Sequence, residues 1–185
     1  MRRIVMVFLA ASLCLAPAAY GDTALDKALT EDALVFCKLE VVQDLLAKGA
    51  NANARNGLGV TALGIAASRC GMQTLQALLA KGAQVNGRDS RDRDWTVLMW
   101  AAKGGNLPNV QTLLAKGAEI NARDNYGDTA LMNAASYGRL PVVKFLLAKG
   151  ADVNVQNKKG QTALSKATGR RHPDVAEALK RAGAR

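Results

Sequence analysis

The chain has 185 residues with 25 basic and 15 acidic side chains, and its aromatic residues are two tryptophans, three tyrosines and three phenylalanines. This length fits one domain. The single histidine, His172, excludes a multi-histidine metal site, and the sequence contains neither a C-x-x-C pair nor a phosphate-binding G-x-x-x-x-G-K-S/T run. Because serines and carboxylates are also scattered without pairing, we predict that the protein is not an enzyme and uses no metal or cofactor.

The start of the chain has the organisation of a secretory signal peptide. Two arginines precede an apolar core at residues 4–15, Pro17 ends this core, and the small residues Ala19 and Gly21 occupy the positions that signal peptidase reads. A core of this length is too short to anchor the chain across a bilayer. We predict cleavage before Asp22, with cleavage before Ala19 as the alternative, and a periplasmic or secreted mature protein without an integral membrane anchor.

The rest of the chain repeats a unit of two short helices, whose clearest copy is residues 124–154. Thr129 can cap a first helix through its hydroxyl, and Gly138 can end that helix in a left-handed turn. Pro141 can begin a second helix, where its missing N–H costs nothing, and Gly150 can end it. One such unit cannot bury its apolar face alone, so the pattern predicts stacked neighbours.

The capping threonine recurs with a constant period, apart from one interval that is longer than the others. The strings that begin with it are TALGIAA (61–67), TVLMWAA (96–102), TALMNAA (129–135) and TALSKAT (162–168). A helix-turn-helix unit of about 33 residues that carries T-x-L-x-x-A near its start resembles the ankyrin repeat, although the usual proline after the threonine and the usual histidine are absent. The resemblance implies an all-α solenoid of about five stacked repeats joined by β-hairpin loops.

Two of these five units read as caps. We interpret the first as lacking the threonine signature and as more polar, as an end that meets water must be, and the last is rich in charged residues. Asparagines at 53, 86, 121 and 154 sit in register, and we expect them to tie each loop to the next. The predicted organisation is a signal peptide at 1–21 and a repeat domain at 22–185, with repeats at about 23–55, 56–88, 89–123, 124–156 and 157–185.

Cys37 and Cys70 occupy equivalent positions of adjacent repeats, because one repeat length separates them. In an oxidising compartment two cysteines favour a bridge. Equivalent positions of stacked helices, however, lie roughly 10 Å apart, whereas a disulfide needs Cα atoms closer than about 7 Å. A disulfide that staples the cap to the second repeat and a pair of packed thiols both remain open.

A two-residue insertion lies in the hairpin at 88–95, where Asp94 also replaces the glycine found in the other hairpins. The resemblance implies a concave partner-binding surface formed by the hairpin tips and the first helices, and Trp, Tyr and Arg are common at interface hot spots. Trp100, inside a first helix, is expected mostly in the core. The alternative is that the insertion is a solvated loop and the tyrosines pack on their neighbours. The predicted partner-binding residues are Arg69, Arg91, Arg93, Trp95, Lys103, Arg123, Tyr126, Asp128 and Tyr137.

These features together predict an exported, monomeric protein–protein interaction module that binds a partner through its concave groove. Lacking a catalytic site, it could inhibit or protect an enzyme of the bacterial envelope, or serve as its immunity partner. The alternatives are a scaffold that joins envelope proteins and a basic surface that binds anionic wall or membrane polymers. Because the basic residues are spread over every repeat, no nucleic acid is expected as a partner.

Overall fold

Five pairs of consecutive helices make up the part of the chain that the computed structural model describes, residues 23–90 and 93–185. Those residues contain no β-strand, only isolated antiparallel bridges between Arg55 and Thr61 and between Arg88 and Thr96. The all-α solenoid predicted from the sequence is confirmed. The elements are α1 (Ala24–Lys27) with a π-helical continuation (Ala28–Ala33), α2 (Leu39–Ala47), α3 (Ala62–Arg69), α4 (Met72–Ala80), α5 (Val97–Gly104), α6 (Leu107–Ala115), α7 (Ala130–Ser136), α8 (Leu140–Ala148), α9 (Ala163–Gly169) and α10 (Pro173–Arg181).

The first helices of the pairs form one layer and the second helices another. Helices α3, α5, α7 and α9 contact one another in sequence, and so do α2, α4, α6, α8 and α10. None of the helices in the described residues is both long and apolar enough to cross a membrane.

Threonine side chains begin the first helices, as the repeated motif predicts. Thr61 accepts a hydrogen bond from the backbone N–H of Gly64 at 3.0 Å, and Thr96, Thr129 and Thr162 do the same in their repeats. The first unit differs from expectation, because Thr23 caps α1 through the N–H of Asp26 and begins the string TALDKA (23–28), which matches T-x-L-x-x-A. The expectation that this unit lacks the threonine signature is therefore wrong.

Small residues set the spacing within the first-helix layer. Ala66, Ala67, Ala101 and Ala102 are completely buried, so the backbones of α3 and α5 approach closely. A Cβ on Gly104 would lie 2.2 Å from the carbonyl oxygen of Ser68. Only a glycine fits at that contact.

The hairpins are tied to one another by a chain of backbone hydrogen bonds along their tips. Ser90 N–H donates to Gly59 O at 3.0 Å, Asn125 N–H donates to Arg93 O at 2.9 Å, and Lys158 N–H donates to Tyr126 O at 2.9 Å. Each hairpin is thereby held in register with the next.

The expected asparagine ties between the loops are confirmed. Asn53 donates to Gly82 O at 3.0 Å and accepts from Gln84 N–H at 2.8 Å. Asn86 and Asn154 each make the same two contacts with the following loop, and Asn121 accepts from Asp152 N–H. The second-helix ends are therefore fixed along the whole solenoid.

Cys37 and Cys70 are joined by a disulfide, with their Cα atoms 5.2 Å apart. Cys37 lies in the turn between the π-helical segment and α2, where its backbone takes a left-handed φ of 53°. A turn residue is not bound to the spacing of stacked helices, and this is how the two Cα atoms come closer than a helix diameter.

Removing this bridge is predicted to destabilise the protein. Opening the loop that it closes, with a sequence separation of 33, should lower the free energy of unfolding by about 3–4 kcal/mol in the chain-entropy model. Urea unfolding of the protein with and without reductant measures the effect, and Cys37→Ala/Cys70→Ala serves as the control that no longer responds to reductant. Two free thiols titrated in the unfolded, unreduced protein would contradict the bridge.

Candidate partner-binding cleft

An open cleft of about 650 Å³ lies where the hairpins meet the first helices. Hairpin residues form one wall, and residues of α5, α7 and α9 form the floor and the other wall. Its lining residues are Leu58, Asp89, Arg93, Trp95, Trp100, Lys103, Tyr126, Asp128, Asn133, Ser136, Tyr137, Lys166 and Arg170.

The floor residues share one place in the repeat. Trp100, Asn133 and Lys166 each follow the capping threonine of their helix by four residues, which is about one helical turn. They therefore occupy the same face of α5, α7 and α9. Ile65 holds this place in α3 but does not line the cleft. From α3 to α9 this position therefore changes from apolar or aromatic to polar and then to cationic.

The two tryptophans pack edge to face, with ring centroids 4.8 Å apart and an interplanar angle of 62°. Trp95, a predicted partner-binding residue, is only 7% exposed and forms a wall of the cleft. Trp100, expected mostly in the core, packs against the core but is half-buried and lines the cleft. An aromatic pair thus shapes the cleft from one side.

Two carboxylates hold these indole rings. Trp95 Nε1 donates to Asp124 Oδ2 at 2.9 Å, and Trp100 Nε1 donates to Asp89 Oδ2 at 3.2 Å. The other oxygen of each carboxylate accepts backbone N–H groups of its own hairpin, from Trp95 for Asp89 and from Tyr126 and Asp128 for Asp124. Each aspartate therefore shapes a turn and orients a tryptophan.

The same turn position carries asparagine in the neighbouring hairpins. Asn56 accepts from the N–H groups of Leu58 and Val60, and Asn157 accepts from those of Lys159 and Gln161. These asparagines and Asp124 each stand five positions before the capping threonine of their repeat, and the insertion moves Asp89 two positions further from Thr96. An aspartate in place of asparagine at this turn position is the feature that both indole partners share.

Cations lie against the aromatic walls. The Arg93 guanidinium is 4.9 Å from the Tyr126 ring centroid and 5.9 Å from that of Trp95. Lys103 Nζ is 4.9 Å from the Trp100 ring, 5.3 Å from that of Trp95 and 5.4 Å from that of Tyr137. The ring faces attract both cations, so positive charge lines the cleft beside the aromatic residues.

Asp128 is the most buried charge of the cleft, with a side chain 3% exposed. It accepts from Lys166 Nζ at 2.8 Å and from Asn157 Nδ2 at 2.7 Å, and Arg93 lies 3.9 Å away. These contacts satisfy the carboxylate and join the hairpin after α6 to α9. Asp128 therefore has a structural role within the cleft wall.

The structure gathers six of the predicted binding residues in the cleft: Arg93, Trp95, Lys103, Tyr126, Asp128 and Tyr137. Arg69 is exposed at the end of α3 and does not line the cleft. Arg123 does not line it either and donates to Gln156 O, one repeat further along the chain. Arg91 lies outside the described residues. Asn133 and Lys166 are not among the predicted residues, although both follow a capping threonine by one turn.

The fold and its groove define a class of protein, the repeat solenoid that offers a concave surface to a partner. A family model described as Ankyrin repeats (3 copies) matches residues 31–124 and 122–185. The chain therefore belongs to the ankyrin-repeat family, and it is a protein–protein interaction module. A search of curated proteins found no match.

Burial raises the pKa of the Asp124 carboxyl above its ordinary value of 3.8, and the nearby Asp128 raises it further. Hydrogen bonds from Asp128 N–H, Tyr126 N–H and the Trp95 indole act in the opposite direction. Removing the carboxylate from water is the largest effect, so the protonated acid favours the folded chain. This stabilisation is complete below the ordinary pKa and is lost as the pH rises through the raised pKa.

The variant Asp124→Asn tests this pH dependence, because asparagine fills the equivalent position in two other hairpins. The free energy of unfolding of the wild type minus that of the variant should fall as the pH rises above 3.8 and then level off. Urea unfolding followed by tryptophan fluorescence measures it. In a Trp95→Phe background, which loses the indole hydrogen bond, the decline should extend to higher pH. A difference that grows with pH would mean that the hydrogen bonds outweigh burial.

Proposed function

We propose that this protein is exported and binds an acidic protein partner in the cleft, acting as an inhibitory, immunity or protective partner of an enzyme of the bacterial envelope. The observation that carries the proposal is a pre-built cleft in which aromatic walls present cations.

The charges of the cleft favour an acidic partner. Four cations and two carboxylates line it, which leaves a net positive charge of two. Both carboxylates are engaged by groups of the chain itself, whereas no carboxylate of the described residues pairs with Lys103 or Arg170. Such a surface attracts acidic partners and accelerates their association.

The aromatic residues favour tight binding. Tyr126 is 41% and Tyr137 is 44% exposed, and both stand on hairpin or helix positions that the repeat packing holds rigid. A partner that covers them loses little conformational entropy of the scaffold, because the scaffold is ordered before it binds.

Two features support export. The signal-peptide pattern at the start of the chain directs it out of the cytosol, and a disulfide between Cys37 and Cys70 suits an oxidising compartment. An envelope partner is the consequence of that location.

Affinity capture from envelope extract tests the partner assignment. The wild-type mature protein should recover one enzyme in near-equal amount and lower its activity. Lys103→Glu/Arg170→Glu should weaken capture by about tenfold or more, because both charges face the partner. The matched control is Lys116→Glu/Lys144→Glu, which changes the net charge equally on the second-helix side.

Recovery of two or more non-enzymes that elute together would replace the inhibitor by a scaffold. Equal loss of capture in both double variants, with full loss in moderate salt, would instead indicate that the basic surface binds anionic polymers.

Export has its own test. When the full chain is expressed in a bacterium with a periplasm, N-terminal sequencing of the periplasmic protein should show Asp22, or Ala19, as the first residue. Leucine at positions 19 and 21 (Ala19→Leu/Gly21→Leu) should block cleavage before Asp22, because signal peptidase requires small residues there. A cytosolic protein that retains Met1 would contradict export.

A further inference from the structure

One buried amide on the floor of the cleft has no hydrogen-bond acceptor. Asn133 is 4% exposed and lines the cleft, and its Nδ2 finds no partner in the described residues. A buried donor left unpaired destabilises the fold. The equivalent place in α3 holds Ile65, so the repeat accepts an apolar side chain there. The asparagine is therefore unfavourable for the empty protein, and a ligand that supplies an acceptor would remove the penalty.

The charged residues that line the cleft with Asn133 define the charge of that acceptor. Lys103 Nζ rests over three aromatic rings, and Arg170 stands on the rim at the end of α9, neither of them paired with a carboxylate of the described chain. The two carboxylates that line the cleft face other groups: Asp89 accepts from the indole of Trp100, and Asp128 is bound by Lys166 and Asn157. The part of the cleft in which a ligand's acceptor would bind is therefore positively charged, and an anion fits it.

A carboxylate matches both donors at once. Each of its two oxygens accepts more than one hydrogen bond, so it can bridge an amide and an ammonium group. The last torsion of an asparagine is broad and twofold, so a bound carboxylate can hold the Asn133 amide with its N–H₂ toward the cleft. The charged hydrogen bonds that result are stronger than neutral ones.

We propose that the cleft binds the side-chain carboxylate of a glutamate or aspartate in an extended segment of the protein partner, between Asn133 and Lys103. The inference rests on the proposed function and names the chemistry that the partner presents. An internal segment of the partner is favoured over its chain terminus, because the cleft is open and extends from Leu58 in the second repeat to Arg170 in the last. Leu58 is 64% exposed, and with Tyr126 and Tyr137 it offers apolar contacts on both sides of the acidic residue.

Short capped peptides test the site directly. The probes are acetyl-Leu-Glu-Leu-amide, its neutral counterpart acetyl-Leu-Gln-Leu-amide, and acetyl-Leu-Ala-Leu with a free terminal carboxylate. Titrations are followed by nitrogen–proton NMR of the mature protein, in which the Asn133 side-chain amide and the indoles of Trp95 and Trp100 report on the cleft. The glutamate peptide should shift these signals saturably and bind about tenfold more tightly than the glutamine peptide.

Equal binding of the glutamate and glutamine peptides, or no saturable shift with either, would overturn the proposal. Tighter binding of the peptide with the free terminal carboxylate would overturn the choice of a side chain as the source of the anion.

Two substitutions separate binding from folding. Asn133→Leu removes the unpaired donor, so it should raise the urea midpoint while weakening the glutamate peptide by about tenfold. Lys103→Met keeps the apolar stem over the rings and removes the charge, and it should weaken the same peptide, whereas the matched Lys144→Met on α8 should not. A lower urea midpoint for Asn133→Leu would show that the amide stabilises the empty fold, and would overturn the proposal.

The outcome for the whole protein is distinguishable from that for the peptides. If capture of the envelope partner survives Asn133→Leu and Lys103→Met unchanged, the carboxylate site is wrong and the binding function stands. If the glutamate peptide binds as expected but no protein is captured, the site stands and the proposed partner is wrong.

Discussion

Contact between consecutive first helices determines the rest of this structure. The alanines of α3, α5, α7 and α9 are buried to completion, and Gly104 sits where no Cβ would fit against Ser68. Small side chains bring these backbones together, and the floor positions of neighbouring repeats therefore lie side by side. Trp100, Asn133 and Lys166 meet in one cleft because of that spacing, although each belongs to a different repeat.

The first unit depends on a different tie. Its π-helical segment contacts α3 far less extensively than α5 does, so the first-helix layer is weakest at that end. The disulfide between Cys37 and Cys70 crosses this junction, and the contact between α2 and α4 continues the second-helix layer past it. A covalent bond thus joins the first unit to the second where the first-helix layer makes fewer contacts than it does in the middle of the solenoid.

Regular features of the fold could be read from the sequence because they repeat. Thr129 and its counterparts at 61, 96 and 162 each have a hydroxyl that caps the following helix. The asparagines in register each bind the following loop. The cleft was harder to predict because its special residues each occur once. Trp95 lies in the hairpin with the insertion, and its indole donates to the carboxylate of Asp124, in the next hairpin along the chain. An aromatic residue in a loop is either buried as part of the cleft or exposed to a binding partner, depending on a residue in another repeat. The local sequence pattern does not contain that information.

The cleft combines groups that a fold selected for stability alone would avoid. Asp124 is held where burial raises its pKa, and Asn133 occupies a place that Ile65 fills with an apolar side chain in α3. Asp124 has a structural role, since its carboxylate orients the Trp95 indole. The unpaired donor of Asn133 does not stabilise the empty protein. Unfavourable groups in natural proteins concentrate at functional sites. Asn133 shares the cleft with Lys103, which pairs with no carboxylate of the described chain, and this combination supports the proposed binding of an acidic partner in the cleft.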